Sequence, residues 1–327
     1  MRVDIVIPTY LNHLRQNLEF MASVDVFCAP DSSPFIHIIV GIPEESQMLK
    51  RGLALFSPAL REKVQIVELT KELLLFKERC EADTDSEAAW KTYPKYPLIN
   101  FKKLSGVETA FRAGADVAVV LDSEIAMFRP ARLHDVLAAR ATDNKYVYSK
   151  AAMKSDIMRT IQHDSLRSLQ PDYDRDHYLA RGYGWFDNLC FYRKEYFPGF
   201  LKALGGGDTI LDIIPGLRGC AFEWIMYNAY EILQAGREVV PIDIDRVIQE
   251  ATGRAELFEH PQTEMIYLYV TGDPAKDGQM LSKLDLPWVP ASDDPYILDL
   301  LLKHTPDSCC LMFHKDRQHD GQRAKTP

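Results

Sequence analysis

No run of about 18 apolar residues occurs in this sequence, so it holds no segment that reads as a membrane-spanning helix. A basic excess is also missing. The formal net charge is −9, which argues against general nucleic-acid binding, because that function needs a basic face. The six cysteines (Cys28, Cys80, Cys190, Cys220, Cys309 and Cys310) lack the paired spacing of a metal knuckle. Reduced thiols in a cytoplasmic protein are their simplest reading. No apolar leader precedes the first strand-like segment, and a cytoplasmic location is the expectation. Gly205-Gly206-Gly207-Asp208 lacks the Gly-Lys-Ser/Thr ending of a phosphate loop and reads as a flexible turn. There is no internal repeat and no long low-complexity stretch.

What is present is enough apolar chain for a large core, as one big α/β domain or two lobes: 327 residues, 46% of them hydrophobic. Val3 to Tyr10 reads as a strand stopped at a proline, followed by a helix with Asn12 as its cap and Leu14, Leu18, Met21 and Ala22 on one face. Ile36 to Gly41 and Val64 to Leu69 read as strands, with weak helical character from Met48 to Leu60 between them. Strand, helix, strand, helix, strand at short spacing implies parallel pairing and right-handed crossovers. Glu81 to Glu87 reads as an acidic surface loop. Leu98, Phe101, Leu104, Val107 and Phe111 then recur at helical spacing, and Gly114 closes that helix. Further strands are expected at Lys145 to Ser149, Leu189 to Tyr192, Val239 to Ile242, Met265 to Val270 and Cys310 to Phe313. Helices are expected at Phe222 to Tyr230 and Pro295 to Leu302. The end, 315–327, is a polar tail.

The chain is organised around Gly114 to Phe128. Five uninterrupted apolar residues, Val117 to Leu121, form a short run bounded by a turn, the pattern of a strand covered on both faces. Ligands of open α/β sheets collect beyond the carboxyl ends of such strands. Asp122 and Glu124 stand there, one residue apart. Two carboxylates so close need a cation or strong donors, and hard oxygen ligands suit Mg²⁺ or Mn²⁺. The alternative is that Asp122 caps the next segment and Glu124 is solvated.

Other candidates carry similar pairs of readings. Lys102 and Lys103, on the preceding helix, are either solvated charges or a phosphate contact. Gln170 to Asn188 is dense in aromatics, carboxylates and amides, including Asp187, and suits a sugar ring unless it is ordinary lid packing. Glu223, in the first turn of its helix, either complements the helix dipole or is a desolvated base with a raised pKa. His314, after the last strand, is structural or merely exposed unless it has a functional role.

The strand ending in Ile7-Pro8-Thr9-Tyr10, paired with the strand ending in Asp122-Ser123-Glu124, makes the first half resemble nucleotide-sugar glycosyltransferases of the GT-A fold. The resemblance covers about 1–130 and loosens from there to about 315. Phe222 to Tyr230 also looks similar to a Glu-containing helix of bacterial surface-polysaccharide transferases. The resemblance implies an α/β, GT-A-like, mostly parallel central sheet flanked by helices. Residues 1–130 would form the donor half, and 131–314 the acceptor half of the same domain. It also implies roles. Asp122 and Glu124 match the two acidic positions of the metal-binding Asp-x-Asp element, the second being Glu here, which lengthens one arm by a methylene. Asp122 and Ser123 would also face the donor. His314 would be a further ligand, Lys102 or Lys103 the basic residue near the phosphates, and Pro8, Thr9 and Tyr10 the cradle of the nucleobase and ribose. Glu223, or Asp187 in its place, would be the catalytic base.

The expected activity is transfer of a sugar from a nucleotide-sugar to a hydroxyl of a saccharide or lipid-linked saccharide, with Mn²⁺ or Mg²⁺ and no nucleic acid. Peripheral attachment to the inner face of a membrane would go with a lipid-linked acceptor. Three other readings compete. A sugar-phosphate nucleotidyltransferase would need a Gly-rich basic loop after the first strand, and Thr9 to Arg15 has no glycine. A phosphatase would place its acidic pair after the first strand. A non-catalytic sugar-binding relic of the fold would explain Glu124 as a decayed metal position.

Overall fold

The computed structural model describes residues 1–82, 95–143, 145–148, 156–169, 190–206, 210–211, 219–254, 269–284, 289–290, 294–305 and 308–312. The chain runs through β1 (Val3–Pro8), α1 (Leu14–Phe27), β2 (Ile36–Val40), α2 (Pro43–Leu53), a short α3 (Pro58–Arg61) and β3 (Val64–Glu68). It continues as α4 (Thr70–Ala82), α5 (Lys95–Arg112), β4 (Val117–Val120), β5 (Ile125–Met127), α6 (Leu133–Thr142) and β6 (Lys145–Tyr148). Then come α7 (Asp156–Leu169), β7 (Cys190–Arg193), α8 (Phe197–Ala203) and α9 (Glu223–Ala229), which passes into a π-helical turn ending at Gln234. Last are β8 (Val240–Asp243), α10 (Ile244–Thr252), α11 (Pro274–Leu284), β9 (Val289–Pro290), α12 (Pro295–His304) and β10 (Cys310–Met312).

The central sheet has five strands in the order β3-β2-β1-β4-β7. Its first four strands are parallel, and β7 closes the edge antiparallel to β4, with Val119 opposite Phe191. The chain winds outward from β1 to β3 and then crosses to the other side of β1. The carboxyl ends of β1 and β4 therefore flank the point where the winding reverses, the place where open α/β sheets bind ligands.

Pleating sends alternate side chains to opposite faces, and both faces are covered. Val6, Ile39 and Val120 join the core built with α4, α5, α8 and α9. Ile5, Ile7, Ile38, Val40 and Val119 join the one built with α1, α2 and α6. Buried Asp4 in β1 is paired with the Arg2 guanidinium and contacts His37 Nε2, each at 2.9 Å. A three-stranded sheet β5-β10-β9 and the pair β6-β8 lie apart from the main sheet, and α10, α11 and α12 share a smaller core.

Several elements depart from the sequence reading. Asn12 does not cap α1; it sits in a 3-10 turn, Leu11–His13, and His13 is the N-cap residue. The helix consequently buries Leu14, Asn17, Phe20, Met21 and Val24, while Leu18 and Ala22 are half-buried. The helix expected from Met48 starts earlier, at Pro43, because proline at the first helical position loses no hydrogen bond. Glu81 and Ala82 lie in α4, and 83–87 of the expected acidic loop lie outside the described residues. So does 265–268 of the expected strand, and Tyr269 and Val270 are not extended as strand.

Candidate functional site

The site lies at the carboxyl edge of β1 and β4. Beyond the last ladder residue of β4, the Leu121 amide donates to Val6 O at 2.9 Å, which keeps the two strands in step until Asp122. The Asp122 side chain is 60% exposed, whereas Ser123 and Glu124 are buried. The two acids of the element therefore meet different surroundings.

Helix α5 brings the cations. It can lie close on the sheet because residue 106 is glycine: a Cβ there would stand 2.4 Å from Val6 Cγ1 and 2.7 Å from Ile39 Cγ1. Its two lysines diverge. Lys102 Nζ donates to Thr9 O at 2.5 Å; burial lowers its pKa, and the nearby Glu45 carboxylate partly opposes that shift. Lys103 Nζ stands 3.1 Å from Glu223 Oε1 and 3.8 Å from Asp122 Oδ1, and 5.8 Å from the centre of the Phe222 ring. Neither lysine is the freely solvated helix charge that was the plain alternative, and Lys103 is 7% exposed.

Glu223 is 1% exposed. Asn100, one turn before Lys103 on α5, fixes where it sits. The Asn100 amide donates to Ala221 O at 2.6 Å, and the Glu223 N–H donates to Asn100 Oδ1 at 3.3 Å. Among the described residues Glu223 Oε2 has no hydrogen-bond partner. Burial raises the carboxyl pKa, the Lys103 charge pulls it back, and Asp122 adds to the rise. For Lys103, burial favours the neutral amine, but the Glu223 and Asp122 carboxylates outweigh it and hold the pKa above its ordinary value. One buried cation thus serves two acids, and the more deeply buried acid retains a raised affinity for a proton.

The loop after β1 completes the edge. The Thr9 amide donates to Ile39 O at 2.9 Å, and its hydroxyl accepts from Asn17 Nδ2 at 2.5 Å. Asn17 Nδ2 also donates to His13 O at 2.7 Å, and His13 Nδ1 lies 2.6 Å from Ser123 Oγ. The Tyr10 ring packs on the His13 ring with centroids 4.0 Å apart.

The structure therefore brings Pro8, Thr9, Tyr10, Lys102, Lys103, Asp122, Ser123, Glu124 and Glu223 to one edge of the sheet. Asp187, the 170–188 loop and His314 lie outside the described residues. His13, Asn17 and Asn100 were missed by the sequence reading. One signal was available for Asn17, an amide on the helix face that carries Leu14, Phe20, Met21 and Val24.

Among the described residues no group of three or more His, Cys, Asp or Glu side chains could hold a metal ion. The fit of a hard cation rests on Asp122 and Glu124 alone. Their oxygens suit Mg²⁺ or Mn²⁺, which commonly take one or two protein carboxylates and fill the remaining positions with phosphate oxygens and water. Asp122 is open to such a ligand set. No helix among the described residues is long and apolar enough to cross a membrane.

No protein-family model matches the chain, and no curated protein matches its sequence. Among solved structures, it is similar to mouse xyloside xylosyltransferase 1 in its apo form, at 8% identity over 73% of this chain and 85% of that one, with a TM-score of 0.38. It is also similar to residues 1–349 of S. aureus TarS, at 10% identity over 94% and 80% of the two chains and a TM-score of 0.32. A third is the mannosyltransferase PcManGT from Pyrobaculum calidifontis, in complex with GDP-Man and Mn²⁺, at 13% identity over 100% and 76% and a TM-score of 0.34. Likeness at this level assigns no role to any residue, and the site's chemistry rests on the geometry above.

Proposed function

We propose that the chain transfers a sugar from a nucleotide-sugar donor to a hydroxyl acceptor at the carboxyl edge of β1 and β4. The observation that supports this reading is the buried Lys103 ammonium set between Asp122 and Glu223 at the point where the sheet reverses its winding. A fixed cation beside an open carboxylate suits a departing diphosphate, whose growing negative charge is the main electrostatic demand of such a reaction.

In this reading Pro8, Thr9 and Tyr10 frame the nucleoside, and Lys102 and Lys103 hold positive charge beside the phosphates without loose side-chain motion. Asp122 and Glu124 would hold Mn²⁺ or Mg²⁺, with His314 as a further candidate ligand. Such a cation, when bound, supplies Lewis-acid neutralisation of the leaving diphosphate. Glu223, with its raised proton affinity and an Oε2 that has no hydrogen-bond partner among the described residues, is the candidate base for the acceptor hydroxyl, and Asp187 is the alternative. Residues 1–130 would serve the donor and 131–314 the acceptor, a saccharide or a lipid-linked saccharide. The latter would place the protein at the inner face of a membrane.

A second reading is a non-catalytic binder of nucleotide-sugars. The burial of Glu223 against Lys103 favours it, because a base tied up in an ion pair is slow to meet an acceptor.

A thermal-shift screen of UDP-, GDP-, CMP- and dTDP-sugars, with and without Mn²⁺, tests both. A ligand that binds the native state alone raises the midpoint by mass action. A shift with one nucleotide that grows with Mn²⁺, accompanied by release of the nucleoside diphosphate when acceptor is added, is the expected result. A shift without turnover favours the binder. No shift with any donor rejects the donor site.

A further inference from the structure

We infer that His13 is a positioning residue, which sets the Asp122–Glu124 element by holding Ser123 between the two acids. The inference rests on the donor-site reading above. It is carried by a chain of contacts joining two loops that lie more than a hundred residues apart in sequence. His13 Nδ1 lies 2.6 Å from Ser123 Oγ, across a sequence separation of 110. The His13 backbone is fixed in turn: its carbonyl accepts from Asn17 Nδ2 at 2.7 Å, and the same amide donates to Thr9 Oγ1 at 2.5 Å. Asn17 is fully buried and projects from the first turn of α1, so it has little freedom of its own.

The consequence lies in leverage. The ladder between β1 and β4 ends with the bond from the Leu121 amide to Val6 O, one residue before Asp122. Past that point the turn bearing both acids lies outside any described ladder until β5 begins at Ile125, so a side-chain bond within the turn adds a restraint. Ser123 is 3% exposed and takes that restraint through its hydroxyl, whichever ring tautomer His13 adopts. Removing a group that orients ligating residues typically costs about ten- to hundredfold in metal affinity. The Tyr10 ring, partly exposed, packs on the other side of the network against His13. A nucleoside placed against Tyr10 would therefore press on the same imidazole that fixes the acids, linking the base end of a donor to its phosphate end.

The test is a double-mutant cycle on the full-length protein. His13→Ala, Ser123→Ala, the double variant and His13→Asn are compared with wild type, the asparagine amide standing where Nδ1 stood. The Kd of UDP, GDP, CMP and dTDP is measured by calorimetry with and without Mn²⁺, and urea unfolding without ligand is measured alongside. For the nucleotide that wild type binds, each single alanine variant should weaken the Mn²⁺-dependent affinity by about ten- to hundredfold. The double variant should be no weaker than the worse single, and His13→Asn should recover most of the loss. Additive losses, an unrescued His13→Asn, or unchanged affinities with only the unfolding midpoint lowered each overturn the positioning role while the donor site stands. A wild type that binds none of the four nucleotides overturns the donor site and this role together.

Discussion

Lys103 Nζ lies 3.1 Å from Glu223 Oε1 and 3.8 Å from Asp122 Oδ1, so one ammonium joins α5, the first turn of α9 and the end of β4. The two contacts differ in kind. Glu223 is sealed from water and its attraction to Lys103 is poorly screened, whereas Asp122 is mostly exposed and its pull is diluted by solvent and salt. Glu223 therefore keeps the cation in place, and Asp122 remains available to exchange partners.

The two ends of the buried pair should respond unequally to substitution. Lys103→Met strands the Glu223 carboxylate in the core and should cost about 3–5 kcal/mol in urea unfolding at neutral pH. Adding Glu223→Leu should return most of that, because the penalty belongs to the stranded charge and not to a lost attraction. A double variant no more stable than Lys103→Met would show that the lysine contributes mainly by packing.

Glu223→Gln leaves the buried Lys103 ammonium with the exposed Asp122 as its remaining counter-charge, so it should cost stability at pH 7, with a pH signature that fixes the sign. Burial raises the native carboxyl pKa above its ordinary 4.5, against the opposing Lys103 charge. The native state therefore binds this proton more tightly than the unfolded chain does. Stability from that group is complete below pH 4.5 and is lost as pH rises through the native value. Wild type should accordingly gain stability over Glu223→Gln as the pH falls from neutral towards 4.5. Parallel stability–pH curves for the two proteins would contradict the raised affinity and remove Glu223 as a base.

Asp122→Asn separates site from fold. The side chain is 60% exposed and packs into no core, so its unfolding free energy should stay within about 0.5 kcal/mol of wild type. The Mn²⁺-dependent nucleotide shift and any sugar transfer should disappear. Near-normal transfer by a folded Asp122→Asn protein would reject the metal role for this carboxylate.

Much of this architecture was legible because it follows from apolar spacing. Val117 to Leu121 carries the pattern of a strand covered on both faces, β4 spans Val117–Val120 of it, and the short spacing of the strands before it pointed to parallel pairing, which puts Asp122 at the carboxyl edge. The polar wiring of that edge was not legible. That Lys102 turns to Thr9 while Lys103 turns to Glu223 depends on a difference of about 100° around α5 and on which helix lies beside each lysine. His13 gave no signal either, since its partner Ser123 is brought near by tertiary pairing of β1 with β4. The start of α1 was misplaced for a local reason: a 3-10 turn took Asn12, the residue whose type best suited a cap.

Gly106 sets how close α5 comes to the sheet, and its replacement should disturb site and stability together. Alanine is the better helix former by about 1 kcal/mol, so on an open helix face Gly106→Ala would stabilise. Here its Cβ would lie 2.4 Å from Val6 Cγ1 and 2.7 Å from Ile39 Cγ1, atoms held by fully buried strand residues that cannot swing aside. Overpacking of this sort costs about 1–3 kcal/mol, so the net change should be a loss of up to about 2 kcal/mol, as α5 is pushed outward with Lys102 and Lys103 on it. Gly205→Ala supplies the contrast. Its φ of +77° strains alanine, but among the described residues nothing lies within 4 Å of the added methyl. That variant should lose about 1 kcal/mol by backbone strain and leave nucleotide affinity intact. If Gly106→Ala keeps wild-type stability and affinity, the lysines do not owe their position to the close approach of α5, and the site tolerates a looser helix than the contacts imply.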